Sequence, residues 1–374
     1  MSEYQYYEFQ AIDRPLTEEE QKTIGKLSSR VDLSPSRASF VYNYSDLPAR
    51  AEDLLARYFD AMFYIANWGS CQLMFRFPKK AINLEQARAY CRPPTVEEFV
   101  SFTEKGEHVV LNIEWHQEAP EWGWIEGEGW LPRLMGLRDD LLRGDYRLLY
   151  LAWLKAITLD EEMPDEVVEP PLPPGLRQLS AGLRTFIELF ELDEHLVAAA
   201  AEASGSLETV GEAQLRQAIG QLSRETCADW LLRLARGEPH LSAAFSRALL
   251  QLMDRPQEAQ PSGRTLADLY AAAERIKKAE QAKRAAAAQA SHLKKMEKLA
   301  GQEAQLWQEV LDLIERKTTK AYDEAVAHLT DLRDLAQHRG EQAAFQARLN
   351  RIYQEYRSRP ALLQRLGKAK LDEL

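Results

Sequence analysis

Apolar positions recur along this chain with two different periods, and the switch between them divides it. Near the N-terminus the period is two. Tyr4 to Ile12 is an aromatic-rich run closed by the turn-like Asp13-Arg14-Pro15, which predicts a strand. Thr17 followed by Glu18, Glu19 and Glu20 has the form of a helix cap with acids in the first turn, so a short helix is expected to about Leu27. Ser39 to Tyr44 predicts a second strand, and Ala51 to Tyr58 a helix. Met62 to Ala66 and Gln72 to Phe77 predict a hairpin around Asn67-Trp68-Gly69-Ser70. In its second arm Leu73, Phe75 and Phe77 alternate with Gln72, Met74 and Arg76, which predicts one buried face. Val109, Leu111, Ile113 and Trp115 keep the same phase in a further strand. Helical stretches follow at Leu131 to Leu142 and Tyr146 to Thr158. Strands interspersed with helices make residues 1–163 an α+β domain, with the strand order left open.

Residues 164–175 hold five prolines, which fix φ and remove donors, and this stretch is expected to be a linker. Beyond it the apolar period becomes that of a helix. Helices are predicted at Leu176–Glu191, Glu194–Ala203, Glu212–Leu222, Arg224–Arg236 and Leu241–Met253, making 176–255 a helical domain with a stop signal at Gly237-Glu238-Pro239. A second linker is expected at 256–263. Residues 264–300 then read as one long basic helix, Ala/Lys-rich and coiled-coil-like, free of proline and glycine. At a rise of ~1.5 Å per residue it would extend about 55 Å. Leu266, Leu269, Ala273 and Ile276 can pack its start, and Leu293, Met296 and Ala300 its end. Between Lys277 and His292 the only apolar residues are alanines, so that stretch is expected to be a solvated arm. Residues 301–374 read as a small antiparallel helical bundle. Its apolar faces are Trp307/Val310/Leu311/Ile314, Tyr322/Ala325/Val326/Leu329/Leu332/Leu335 and Phe345/Leu349/Ile352/Tyr356. Tyr322 to Pro360 has the length of one tetratricopeptide unit, but a solenoid needs about three, and a bundle hairpin is the expectation.

The chain has 374 residues, 45% of them hydrophobic and 28% charged, which is globular composition. No run of about 18 apolar residues offers a membrane span. The first ten residues lack a basic region and an apolar signal core, so a cytoplasmic protein is expected. Cys71, Cys91 and Cys227 are odd in number and widely spaced, which predicts buried thiols and no metal site. Of the net charge of −11, residues 1–163 carry −9, 164–263 carry −7, and 264–374 carry +5. That change of sign implies different partners for the two halves, or attraction between them.

Tyr7-Glu8-Phe9-Gln10-Ala11-Ile12-Asp13-Arg14-Pro15-Leu16-Thr17, with Tyr58-Phe59-Asp60-Ala61 and Ala66-Asn67-Trp68-Gly69, resembles a family of uncharacterised bacterial proteins that open with this phrase. This resemblance implies no mechanism. Lys320-Ala321-Tyr322-Asp323-Glu324-Ala325-Val326 and Leu332-Arg333-Asp334-Leu335-Ala336 are similar to the helical tail of some bacterial SWIM zinc-finger proteins. The paired cysteines and Cys-x-His of that finger are missing, so no metal site is carried over, and the resemblance implies a shared interaction module.

Glu114 to Trp130 gathers four tryptophans, five glutamates and one histidine. Trp122, Trp124 and Trp130 with Glu121, Glu126 and Glu128 are candidates for a groove that stacks a ring or cages a cation. Glu114, His116 and Glu118 alternate along a strand end, as an acid/base or carboxylate site would need. The plain alternative is a strand and loop whose tryptophans finish the core while the glutamates stay solvated. Tyr4, Tyr6, Tyr7 and Phe9 are expected to pack a strand, and Asp139 and Asp140 to pair with Arg138 and Arg143 on a helix surface. Lys277, Lys278, Lys283, Arg284, Lys294, Lys295 and Lys298 are candidates for contact with an acidic protein partner or with phosphates. A membrane surface is disfavoured, because this arm lacks a Leu/Phe/Trp face. The expected function is therefore a non-catalytic interaction or adaptor role in a bacterial multi-protein system, with no cofactor. The alternatives are an enzyme centred on Glu114, His116 and Glu118, or nucleic-acid binding through 271–300.

Overall fold

Seven strands make one sheet: β1 (Gln5–Gln10), β2 (Asp32–Leu33), β3 (Arg37–Tyr42), β4 (Ala61–Ala66), β5 (Ser70–Pro78), β6 (Val100–Lys105) and β7 (His108–His116). They lie in the order β2-β3-β1-β4-β5-β7-β6, and each pairing is antiparallel. The computed structural model describes residues 4–116, 126–160, 162–207, 211–238, 240–253 and 261–371. The chain divides into two compact units, Met1–Lys277 and Lys278–Leu374.

Around the sheet run α1 (Glu18–Gly25), α2 (Ala51–Tyr58), α3 (Leu84–Arg88), α4 (Pro94–Glu97), α5 (Trp130–Leu134), α6 (Gly136–Leu142), α7 (Arg147–Leu159), α8 (Ala181–Leu189), α9 (Glu194–Ala203), α10 (Glu212–Gln221), α11 (Arg224–Ala235) and α12 (Leu241–Leu252). The remaining helices are α13 (Leu266–Glu315), α14 (Thr319–Arg339), α15 (Gln342–Glu355) and α16 (Pro360–Lys368). The α+β N-terminal half and the all-helical C-terminal half expected from the pattern are both present. The hairpin at Asn67–Ser70 forms as β4 and β5, and Thr17 caps α1 in a full capping box with Glu20.

Both faces of the sheet are covered. Tyr6, Leu73, Phe75, Phe77, Leu111 and Ile113 face a large core with α5 to α9. Phe9, Phe40, Met62, Met74 and Val110 face a second core closed by α1 and α2. Strand β5 therefore buries Met74 and Arg76 as well as its expected apolar face. Helix α7 is buried from Arg147 through Ile157, with Arg147 and Lys155 the two charged side chains in an otherwise mostly apolar helix inside the core.

The proline-rich stretch expected to be a linker is fastened into this unit. Leu172 and Leu176 join the large core. Glu169 is buried and receives Arg264 through two nitrogens, at 2.6 and 2.8 Å, Ser262 at 2.5 Å, and the Tyr150 hydroxyl. A backbone bridge joins Val168 to Thr265. Around it the Glu169 N–H donates to the Arg264 carbonyl at 2.9 Å and the Leu266 N–H to the Val167 carbonyl at 3.0 Å, so the backbone between the prolines is paired as well. Of the second expected linker, 256–260 lies outside the described residues, and Ser262 and Arg264 are the two groups that hold Glu169.

Helix α13 runs 50 residues without a break at Gly301, where a separate tail was expected to start. A helical glycine costs about 1 kcal/mol. Met296, Leu299, Leu306, Val310, Leu313 and Ile314 continue one buried line across it, and that packing outweighs the penalty. In the second unit this line meets Ala325, Leu329, Leu332, Phe345, Leu349, Ile352, Leu362 and Leu366 of α14, α15 and α16, completing a helical bundle.

Candidate functional site

Glu114 and His116 lie two apart on β7, and alternation puts both on the sheet face opposite the buried Ile113 and Trp115. Both are exposed. Glu114 accepts from Gln72 at 3.0 Å and from Asn112 at 3.3 Å, and the His116 Nδ1 meets the Ser70 hydroxyl at 3.0 Å. The open end of this face carries a polar row with Tyr7, Tyr64 and Gln5, whose side-chain oxygen accepts from both phenols at 3.0 and 3.1 Å. Burial pushes the Tyr7 phenol up to about 12, so it donates and does not ionise near neutrality. Glu118 lies outside the described residues, as do Glu121, Trp122 and Trp124.

The described part of the Trp/Glu segment sits on the other face of the sheet. Gly127 lies against the Tyr6 ring, where a Cβ would come within 2.2 Å of ring carbon, and its N–H donates to the Tyr4 hydroxyl at 3.2 Å. Glu128 approaches Arg37 at 3.8 Å, and Glu126 is exposed. Trp130 begins α5, donates its indole N–H to the Glu126 carbonyl at 3.1 Å, and carries Arg133 over its ring at 4.8 Å. The fold thus separates Trp130, Glu126 and Glu128 from Glu114 and His116 by the thickness of the sheet. Beneath Gly127, buried Glu8 holds Arg37 at 2.9 Å and the Tyr6 hydroxyl at 2.8 Å.

Arg138, expected on a helix surface, is buried. It donates bidentately to Asp13 at 2.9 and 2.8 Å and to the Arg76 carbonyl at 2.9 Å. Its neighbour Arg143 does pair with Asp140 on the surface, at 3.2 Å. Asp60, also buried, accepts Arg76 at 2.6 Å and the backbone N–H groups of Ile12 and Asp13. His240 reaches Asp13 at 2.9 Å. This network fastens β4, β5, α6 and the start of α12 together, with each carboxylate oxygen used.

The basic helix divides into distinct environments. Every residue from 281 to 295 is exposed. Lys283, Lys294 and Lys298 are exposed, Arg284 pairs with Glu280, and Lys295 pairs with Asp331 at 2.7 Å. Lys278 is exposed. Lys277 instead lines a cleft of about 540 Å³ in the first unit, together with Asp160, Asp165, Asp193 and Glu274. Tyr270 is in the same wall, its phenol pushed up by burial and by the Asp165 charge. Carboxylates from three stretches of chain, 160–165, 193 and 274, share this cleft with Lys277 and His195. No local pattern marked it, because the acids are neighbours only after folding.

A second feature lay outside the sequence reading. Helix α11 has no buried residue, and Leu231, Leu232 and Leu234 are 65%, 48% and 64% exposed. Its one aromatic anchor is Trp230, whose ring lies 5.0 Å from that of Phe245 in α12. The available signal was the placing of Leu231, Leu232 and Leu234 on several sides of the helix, where they cannot all face one core. Among the described residues no helix is long and apolar enough to cross a membrane. No family model, no curated protein and no solved structure matches this chain.

Proposed function

We propose that this chain is a non-catalytic adaptor that offers the unburied basic stretch of α13 to an acidic protein partner. The observation that carries this reading is the run 281–295, about four helical turns in which every residue is exposed. A helix of that length gains little from its own alanines in water and is marginal without something to pack on.

The charge pattern favours a protein over a nucleic acid. Cations cluster at 277–284 and again at 294–298, with the neutral stretch 285–293 between them. Arg284 and Lys295 are already engaged by Glu280 and Asp331. A phosphate backbone is tracked by a continuous row of cations, because each neutralised phosphate adds its own share of affinity. Two basic patches around a small-residue middle suit a partner that approaches closely at the alanines and meets a lysine at either end.

The test places a photo-crosslinking residue at position 287 of the full chain, in extract from cells that make it. The expected result is one discrete protein adduct that disappears in Lys283→Glu/Lys294→Glu and in high salt, with unchanged helical content. An adduct removed by nuclease, or a protein adduct indifferent to the charge reversal, overturns the proposal.

A further inference from the structure

We infer that a second copy of this chain docks on α11, the two helices packing antiparallel about a two-fold axis beside Leu231. This inference rests on the first unit and is independent of the basic helix.

Ala228, Leu231, Leu232 and Ala235 are spaced three and four apart and therefore share a face of α11, and all four are exposed. Two alanines flanking two leucines give a surface with shallow ends and a raised centre. In an antiparallel pair, the leucines of one copy settle between the alanine and leucine of the other, and the backbones approach closely. A two-fold contact must be self-complementary, and a stripe of Ala-Leu-Leu-Ala reads the same from either end.

Charge selects the antiparallel arrangement. Glu225, Asp229, Leu232 and Arg236 follow one another along the same edge of the stripe, at spacings of four, three and four, so that edge is acidic at its start and basic at its end. Glu225 and Arg236 are both exposed, and neither forms an ion pair among the described residues. The other charged side chain of the C-terminal turn, Arg233, is already held by Glu238 at 2.6 Å. Antiparallel packing sets Glu225 of each copy against Arg236 of the other, making two interchain pairs. Parallel packing brings no Glu225 to an Arg236, because it leaves the two glutamates at one level and the two arginines at another.

The geometry also fixes where Cys227 falls. With Glu225 opposite Arg236, the two copies of Cys227 are offset by seven residues, roughly 10 Å along the axis, beyond disulfide reach. The two copies of residue 231 meet close to the axis.

The test measures the mass of the full-length protein in solution as its concentration is raised, for the wild type and for Leu231→Asp/Leu232→Asp. The wild type is expected to reach twice the chain mass. The variant should dissociate on the order of 100-fold more readily, with unchanged circular dichroism. In parallel, Leu231→Cys in a Cys227→Ser background should form a disulfide-linked dimer under mild oxidation, while the wild type, through Cys227, should not. A wild type that stays monomeric at its solubility limit overturns the proposal. So does a dimer that survives both aspartates, or a rapid link between the native Cys227 pair.

Discussion

The Arg138 guanidinium donates to both carboxylate oxygens of Asp13, at 2.9 and 2.8 Å, across 125 positions of sequence. Asp13 belongs to the turn that ends the first strand and Arg138 to α6, so the pair ties that turn to the helix. A buried pair of this kind contributes modestly when intact, but loss of one partner leaves an uncompensated charge. Arg138→Ala is therefore expected to cost about 3–5 kcal/mol in urea unfolding, far more than the surface change Arg143→Ala.

The same pair sets a pH dependence. Burial alone would raise the Asp13 carboxyl, but hydrogen bonds and charge from His240 and Arg138 outweigh it and hold the group well below its usual value. Because the folded-state value is depressed, the stabilisation is complete above the unfolded carboxylate range, near about 4, and fades as pH falls through the folded value. Thermal unfolding between neutral and acidic pH should show that loss, and Asp13→Asn should flatten it.

Thiol titration checks the reading of the cysteines as packing residues. Cys71 and Cys91 are buried and Cys227 is partly exposed. Burial pushes the Cys71 thiol up and the Cys91 thiol up to about 12, which removes the reactive thiolate. Native protein should release one equivalent of chromophore quickly with a disulfide reagent, and the other two only on unfolding. Cys227→Ser should abolish the fast phase.

Much of the fold was legible because it is local. Alternation in β5 and β7, the cap at Thr17 and the turn at Asn67 to Ser70 are all decided within a few residues. What was not legible depends on distant partners. The stretch 164–175 looks like a linker from its prolines, and only Arg264, Ser262 and Tyr150 reveal that Glu169 is a buried anchor. Gly301 looks like a helix end until the buried line from Met296 to Ile314 is seen to cross it. For the candidate sites, Glu114 and His116 share one face of β7 as their spacing implies, while Trp130, Glu126 and Glu128 lie on the other face of the sheet, which no local pattern could specify. The exposure of 281–292 follows from its alanines and lysines, whereas Leu293, expected to pack the end of the helix with Met296, is 42% exposed.

The Glu169 anchor yields a fourth test. Glu169→Ala removes the acceptor of Arg264, Ser262 and Tyr150 at once and leaves a half-buried arginine without its carboxylate. A loss of about 3–5 kcal/mol is expected. The distinctive readout is local: limited proteolysis should cut within 164–175, and amide exchange should accelerate at Leu266, whose N–H bonds the Val167 carbonyl at 3.0 Å.

Gly127 yields the last. A methyl group there would sit 2.2 to 2.5 Å from the Tyr6 side chain, well inside contact distance. That ring cannot swing aside freely, because its hydroxyl donates to Glu8 at 2.8 Å and accepts from Arg37 at 3.0 Å. The segment carrying Gly127 must then lift from the sheet, and Gly127→Ala is expected to cost about 1–3 kcal/mol. Truncating the ring should relieve the clash, so the penalty of Gly127→Ala should shrink in a Tyr6→Leu background, a coupling of about 0.5–3 kcal/mol in a double-mutant cycle. Additive penalties would mean that the two residues do not touch, and that the Trp/Glu segment is not seated on this face of the sheet.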